Sequence, residues 1–175
     1  MKLVVGLGNP GKEYERTRHN AGAVLLGRFA TNRGIARWKG RFDSSFAEGE
    51  LESENFFLLC PQTFMNRSGE AVKEALYFYK LGGDDLMVVH DDIDLAVGRA
   101  QQVFNAGAAG HKGVLSIADH LGTNAFYRIR LGVGRPVLKG QVEDYVLSPF
   151  FPEEEEAVGR MYEQGERLIE NWIRK

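Results

Sequence analysis

The sequence predicts an α/β protein with a mixed, partly parallel twisted sheet flanked by helices. Three observations carry this. Short apolar runs alternate with longer stretches of three- and four-residue periodicity, the signature of strands exchanging with amphipathic helices. Two of the runs, Phe42 to Leu51 and Asn55 to Cys60, flank the hairpin turn Glu52-Ser53-Glu54-Asn55, so the sheet cannot be wholly parallel. The first run ends in a glycine turn and a polar loop before a helix begins, which is how α/β proteins carry reactive side chains to the carboxyl edge of a sheet.

In order, Leu3-Val4-Val5 reads as a buried strand that ends in the turn Gly6-Leu7-Gly8-Asn9-Pro10-Gly11. A polar, basic segment leads to His19-Asn20. Ala21 to Arg33 is then a helix, because Ala21, Val24, Leu25, Phe29 and Ala30 share one face, with Asn20 as N-cap and Gly34 as its stop. The hairpin strands follow, and Pro61 ends the second. The loop Gln62 to Gly69 opens a helix to about Lys80, with Ala71, Val72, Ala75, Leu76 and Tyr79 as its buried face and Gly82-Gly83 as its stop. Leu86 to Val89 is a strand ending in His90-Asp91-Asp92-Ile93-Asp94, and Gly98 to Phe104 is another. The small-residue loop Asn105 to Gly113 opens a helix to about Leu121. Tyr127 to Val133 alternates as a strand, with Tyr127, Ile129, Leu131 and Val133 on one face and Arg128, Arg130 and Gly132 on the other. From Pro152 to Lys175 the chain is an amphipathic helix with Val158, Met161, Leu168, Ile169, Trp172 and Ile173 as its apolar stripe; Glu153 to Glu156 suit its N-terminal dipole.

No repeat, low-complexity segment or linker divides the chain, so its 175 residues are expected to form one domain, residues 1–175. With 43% hydrophobic residues it can bury a core, and no apolar run approaches the ~20 residues of a membrane span. No leader is evident before the first strand, so a cytoplasmic protein is expected. The lone Cys60 excludes an internal disulfide and reads as a buried strand thiol. The net charge of −2 is uneven: residues 152–175 hold seven Glu against four Lys or Arg, leaving the rest close to neutral. A nucleic-acid partner is compatible with this balance, because a local basic surface matters more than the total.

Several groups could carry chemistry. Gly6, Gly8 and Gly11 satisfy the G-x-G-x-x-G spacing of dinucleotide sites, yet no helix opens at the third glycine and no acidic residue lies where the ribose partner should. His19 and Asp91 each follow an apolar strand. If both strand ends share one edge, they form a general-base pair, with the carboxylate orienting the imidazole. No serine elbow is present, so water is the simplest nucleophile. Asn9 and Asn66 could donate to a developing oxyanion. Arg128 and Arg130 share a strand face and either contact phosphate or form a solvated face. Phe64 and Met65 could pack on a ligand or plug the core. A metal reading of His90-Asp91-Asp92-Asp94 lacks a defined ligand spacing, so no metal is expected.

Taken together, Val5-Gly6-Leu7-Gly8-Asn9-Pro10-Gly11, Tyr14, Thr17-Arg18-His19-Asn20-Ala21-Gly22, Thr63-Phe64-Met65-Asn66-Arg67-Ser68-Gly69, His90-Asp91-Asp92-Ile93-Asp94-Leu95 and Arg128-Ile129-Arg130-Leu131-Gly132-Val133-Gly134 resemble the bacterial peptidyl-tRNA hydrolase family. The matches keep the family's order and span nearly the whole chain. The resemblance implies hydrolysis of the ester joining a peptide to the 3′ ribose of tRNA, without metal or organic cofactor, by a cytoplasmic monomer with no obligate protein partner. By position it implies that His19 activates water, that Asp91 keeps it basic and oriented, and that Asn9 takes part in catalysis and senses whether the α-amino group is blocked. Asn66, with Tyr14, Phe64 and Met65, would bind the 3′ end and peptide; His111, Lys112, Arg128 and Arg130 complete the expected tRNA-contacting set.

Two departures stand out. The family's Gly-Gly-His-Asn-Gly is here Ala109-Gly110-His111-Lys112-Gly113, so Lys112 replaces an asparagine. Lysines that often precede this loop are replaced by Gln101, Gln102 and Val103, with Arg99 nearby. The rival readings are a non-hydrolytic RNA-binding relative and a nucleotide-binding oxidoreductase. Asn105 to Gly113 and Val137 to Gln141 are candidate mobile segments.

Overall fold

The computed structural model of the chain describes every residue except Lys139. Strands β1 (Lys2–Gly6), β2 (Lys39–Arg41), β3 (Ser44–Leu51), β4 (Glu54–Pro61), β5 (Leu86–Asp92), β6 (Ala100–Phe104) and β7 (Tyr127–Gly132) make one seven-stranded sheet in the order β2-β3-β4-β1-β5-β7-β6. β1 is its middle strand, and Leu3, Val4 and Val5 are fully buried. A strand covered on both faces needs such an uninterrupted apolar run. β1 pairs in parallel with β4 and β5, and β5 with β7. The edges are antiparallel, β2–β3–β4 on one side and β6–β7 on the other. The mixed α/β sheet expected from the sequence is therefore present.

The hairpin turn is tighter than expected. Only Glu52 and Ser53 lie between the strands, both with positive φ (50° and 70°), the mirror-image turn whose twist suits a two-residue hairpin. Phe42 does not begin a strand: Phe42 and Asp43 form a second such turn (φ 56° and 48°), joining β2 to β3. β2, Lys-Gly-Arg, carries no apolar signal, which is why the sequence hid it.

The helices are α1 (Ala21–Asn32), α2 (Ser68–Tyr79), α3 (Lys112–Leu121), α4 (Val142–Val146) and α5 (Glu155–Arg174). α1 and α5 bury Leu25, Phe29, Met161, Ile169 and Trp172 against Val4, Val89, Ile129 and Leu131 of the sheet. α2 and α3 bury Val72, Ala75, Leu76, Val114 and Ile117 against Leu3, Val5, Leu86 and Val88 on the other face. Each fully buried Val, Leu, Ile, Phe or Met among them contributes about 1.5–3 kcal/mol. The expected stripe of α5 is buried, apart from a half-buried Leu168, and is widened by Tyr162, Gly165 and Glu166. Glu166 accepts from Asn32 (2.8 Å) and Arg33 (3.4 Å), tying α5 to the end of α1. α2 ends at Lys80, which takes the left-handed conformation (φ 57°) two residues before the glycines expected to stop it. Five-residue α4 is too short to show a period. Val137 to Gln141 contains Lys139, so that call falls partly outside the described residues.

Parallel pairing puts the carboxyl ends of β1, β4, β5 and β7 at one edge. Close approaches there depend on glycine. A Cβ on Gly22 would lie 2.1 Å from the Val89 carbonyl oxygen, so only glycine lets the first turn of α1 rest on β5. Gly69 stands the same way to the Ser116 carbonyl, where α2 meets α3. Among the described residues no helix is long and apolar enough to cross a membrane.

Candidate active site

A cleft of about 510 Å³ opens at this edge. Its floor is made by Asn9, His19, Asp91 and His111. Tyr14 and the Phe64-Met65-Asn66 segment line one part of it. Ala108 to Lys112 line another, and Val142, Glu143, Val146 and Leu147 of the α4 region close the wall. Phe64, Asn66 and Lys112 are exposed, Tyr14 is half-buried, and Met65 is buried under the rim. Met65 thus serves both the cleft and the core, the two uses the sequence left open.

His19 and Asp91 do meet. His19 sits in a 3₁₀ turn, Arg18–Asn20, ahead of α1, and its Nδ1 lies 2.9 Å from Asp91 Oδ2 and 3.0 Å from Oδ1. His111 Nε2 reaches Asp91 Oδ1 at 2.9 Å. Asp91 is 2% exposed. Burial alone would raise its carboxyl, but His111, followed by His19, outweighs it and holds the group well below the usual carboxylate range. An ionised Asp91 accepts both bonds, so His19 donates through Nδ1–H and keeps its Nε2 lone pair. His111 is fixed by its other nitrogen. Nδ1 accepts the backbone N–H groups of Gly113 (3.1 Å) and Val114 (3.3 Å), capping α3, so the ring proton resides on Nε2 and faces Asp91.

His19, Asp91 and His111 hold ligand-type atoms within 4.8 Å of one another. The set suits hydrogen bonding better than a metal. A cation on His111 Nε2 would displace a proton that cannot move to Nδ1, where two N–H groups already point. The sequence group His90-Asp91-Asp92-Asp94 is not brought together: His90 turns toward Arg128, and Asp92 pairs with Arg130.

Asn9 is clamped. Asn20 accepts the Asn9 backbone N–H through Oδ1 (2.9 Å) and donates Nδ2 to the Asn9 carbonyl (3.0 Å). Asn20 occupies the N-cap position of α1 but makes no side-chain cap bond. Met65 N–H donates to Asn9 Oδ1 (2.8 Å), which fixes the amide's orientation and leaves Nδ2 as the free donor of a residue lining the cleft.

The arginines differ from expectation. Arg128 is 3% exposed. One arm donates to His90 Nε2 (2.9 Å) and the other to the Gly107 carbonyl (2.8 Å), so it is not a solvent-facing phosphate contact. Arg130 is half-buried and paired with Asp92 (2.7 Å) and Gln101 (2.8 Å). Neither lines the cleft.

Sequence reasoning missed the second Asp91 bond from His111, the clamp from Asn20, and Arg18. Arg18 is 1% exposed, donates to the Tyr145 carbonyl (3.0 Å) and lies over the Tyr145 ring, anchoring α4 beside the His19 turn. The Thr17-Arg18-His19-Asn20 run was visible, but its partners lie more than a hundred residues away in the case of Arg18. His120 is half-buried and bonds the Ser116 carbonyl (2.8 Å), not simply solvent. Cys60 lies in β4, and burial pushes its thiol up to about 12, which leaves no nucleophile there. The glycine fingerprint fails structurally: Gly11 (φ 111°) leads into the short 3₁₀ turn Lys12–Tyr14, and no helix opens before Ala21.

A family model described as peptidyl-tRNA hydrolase matches residues 3–175. A peptidyl-tRNA hydrolase of Geotalea uraniireducens is 46% identical over 173 residues, 99% of this chain and 90% of that one. One from Anaeromyxobacter dehalogenans is 48% identical over 164 residues, 94% of this chain and 85% of that one. Among solved structures, an Arg119Gln mutant of peptidyl-tRNA hydrolase from Acinetobacter baumannii superposes with a TM-score of 0.94 at 32% identity, covering 99% of this chain and 89% of that one.

Proposed function

The chain belongs to the peptidyl-tRNA hydrolase family and hydrolyses peptidyl-tRNA, and on that premise we propose how its cleft does so. His19 Nε2 takes a proton from water as the water oxygen adds to the ester carbonyl carbon. The oxyanion of the tetrahedral intermediate receives a hydrogen bond from Asn9 Nδ2. Collapse breaks the bond to the 3′ ribose oxygen, which takes the proton back from His19. The products are a free peptide carboxylate and tRNA with a free 3′ hydroxyl. Asp91 holds the imidazole in the tautomer this requires and offsets the charge of the imidazolium.

The observation that carries this reading is the Asp91–His19 bond at 2.9 Å on the floor of the cleft. Asn66, Tyr14, Phe64 and Met65 would receive the terminal adenosine and the first peptide residue. Exposed Lys112 would meet phosphate in place of the family's asparagine. The whole chain, residues 1–175, would act as one catalytic domain, as a monomer, in the cytoplasm where its substrate arises. The non-hydrolytic and oxidoreductase alternatives are not favoured by the named relatives. The test is incubation with N-acetylaminoacyl-tRNA and with free aminoacyl-tRNA. Release of the blocked amino acid alone is expected; equal release from both would remove Asn9 as a sensor of the blocked amine.

A further inference from the structure

Arg128 is a buried guanidinium at the reactive edge that, like Arg18, the proposed chemistry does not use. Among the described residues it has no carboxylate in ion-pair contact. Asp92, whose field favours its charge, is itself held by Arg130 (2.7 Å). Its Nε is buried without a partner. Burying a cation on such terms is costly, and its two remaining bonds show what it does. One goes to His90 Nε2 and the other to the Gly107 carbonyl. His90 then gives Nδ1–H to the Asp91 carbonyl at 2.7 Å. Gly107 starts the run that ends in His111, the second histidine on Asp91.

We infer that Arg128 is a positioning residue for Asp91, acting along two routes: through His90 on the Asp91 backbone, and through Gly107 on the loop that delivers His111. This rests on the His19–Asp91 reading above. A guanidinium has no acceptor, so its bond to Nε2 admits only neutral His90 with the proton on Nδ1, the tautomer the Asp91 carbonyl needs. The groups facing His90 agree. Arg128 comes from β7, and His111 stands edge-on at 5.0 Å from the loop before α3. Asp91 and Asp92 follow on its own strand, and Arg130 is its register partner on β7. Burial comes first, then His111 and Arg128, in driving the His90 ring down to about 3. Arg128 therefore keeps a third histidine uncharged beside the two that serve Asp91.

The test compares Arg128→Gln, Arg128→Lys and the double variant Arg128→Gln with His90→Gln, using N-acetylaminoacyl-tRNA hydrolysis and the imidazole ¹⁵N spectrum of His90. Arg128→Gln is expected to lose about 10–100-fold in kcat, as a misplaced group does, with KM little changed. Its acid limb should move to higher pH, because His90 regains proton affinity, and the double variant should return that limb to the wild-type position. Arg128→Lys should recover part of kcat. In the wild type His90 should show the Nδ1–H neutral tautomer into mildly acidic solution, and in Arg128→Gln this signature should weaken. A rise in KM with a flatter salt dependence and intact kcat would overturn the inference in favour of a phosphate contact. A loss of kcat with the His90 tautomer and acid limb unmoved would overturn it in favour of packing alone. If Arg128→Gln does not fold, His90→Gln is read in its place by the same hydrolysis assay, and an unchanged kcat and acid limb there would overturn the route through His90. The His90 spectrum does not depend on hydrolysis, so failure of the His19 base would leave this test standing.

Discussion

Asp91 serves two histidines with different consequences. The bond to His19 sets the tautomer that the proposed chemistry requires; the bond to His111 satisfies the second oxygen of a carboxylate sealed from water. Asp91→Asn puts an amide where the carboxylate was, and an amide N–H facing Nδ1 forces the His19 proton onto Nε2. Hydrolysis should fall by about 10²-fold or more, less completely than in His19→Ala, with a displaced pH profile and an unchanged circular dichroism spectrum. A rate within a few-fold of wild type would detach Asp91 from the base. Lys112 is exposed on the rim. Lys112→Ala should weaken tRNA binding and lower its salt slope by about one, and an unchanged slope in filter binding would make Lys112 a bystander. At this scale the pairing of His19 with Asp91 was legible because each follows an apolar strand, and the placing of Asn9 because it lies in the glycine turn. The contacts of His111, Arg128 and Arg18 were not, since each is made with atoms remote in sequence.

At the scale of elements, the loop before α3 holds a residue in an unfavourable backbone conformation. Ala109 holds φ 49°, a left-handed conformation in which a Cβ crowds the carbonyl. Ala109→Gly should relieve about 1–2 kcal/mol of that strain, against a flexibility cost of about 0.4–1 kcal/mol in the unfolded chain. A small net gain in urea midpoint is expected, and a loss would show that the loop tolerates Ala109 without strain. Gly22 works in the opposite sense. Gly22→Ala drives a Cβ into the Val89 carbonyl and should both destabilise the fold and separate His19 from Asp91, seen as a lower melting temperature and a lower kcat. The long periodic helices and the buried central strands were readable because periodicity needs length. β2 and α4, three and five residues long, were not. The register of Phe42 was misread because an aromatic residue in a two-residue turn looks like strand material until its positive φ is known.

The whole molecule inherits an acid sensitivity from its reactive edge. His90 folds with its ring pushed down to about 3, first by burial, while an unfolded histidine titrates near ~6.5. As pH falls below that value the unfolded chain takes up a proton that the folded chain refuses, so stability drops by about 1.4 kcal/mol per unit. Asp91 is depressed, so its contribution is present above the ordinary carboxylate value of ~3.9 and is lost only as pH falls below it. Acid weakening should therefore begin with His90. Urea unfolding should show a stability decline of roughly 2 kcal/mol between about pH 6.5 and pH 5, and His90→Gln should flatten it; equal slopes would refute the assignment. The mixed sheet was legible at this scale because one hairpin sufficed to exclude a parallel sheet. The strand order was not, since it is set by pairings between β1, β4 and β5 that no local pattern records. The central claim is that His19, held by Asp91, is the base at the edge this topology creates. Its most direct test is single-turnover hydrolysis of N-acetylaminoacyl-tRNA by wild type and by folded His19→Ala. The account predicts a loss of about 10²–10⁴-fold or more; a wild-type rate in His19→Ala would contradict it.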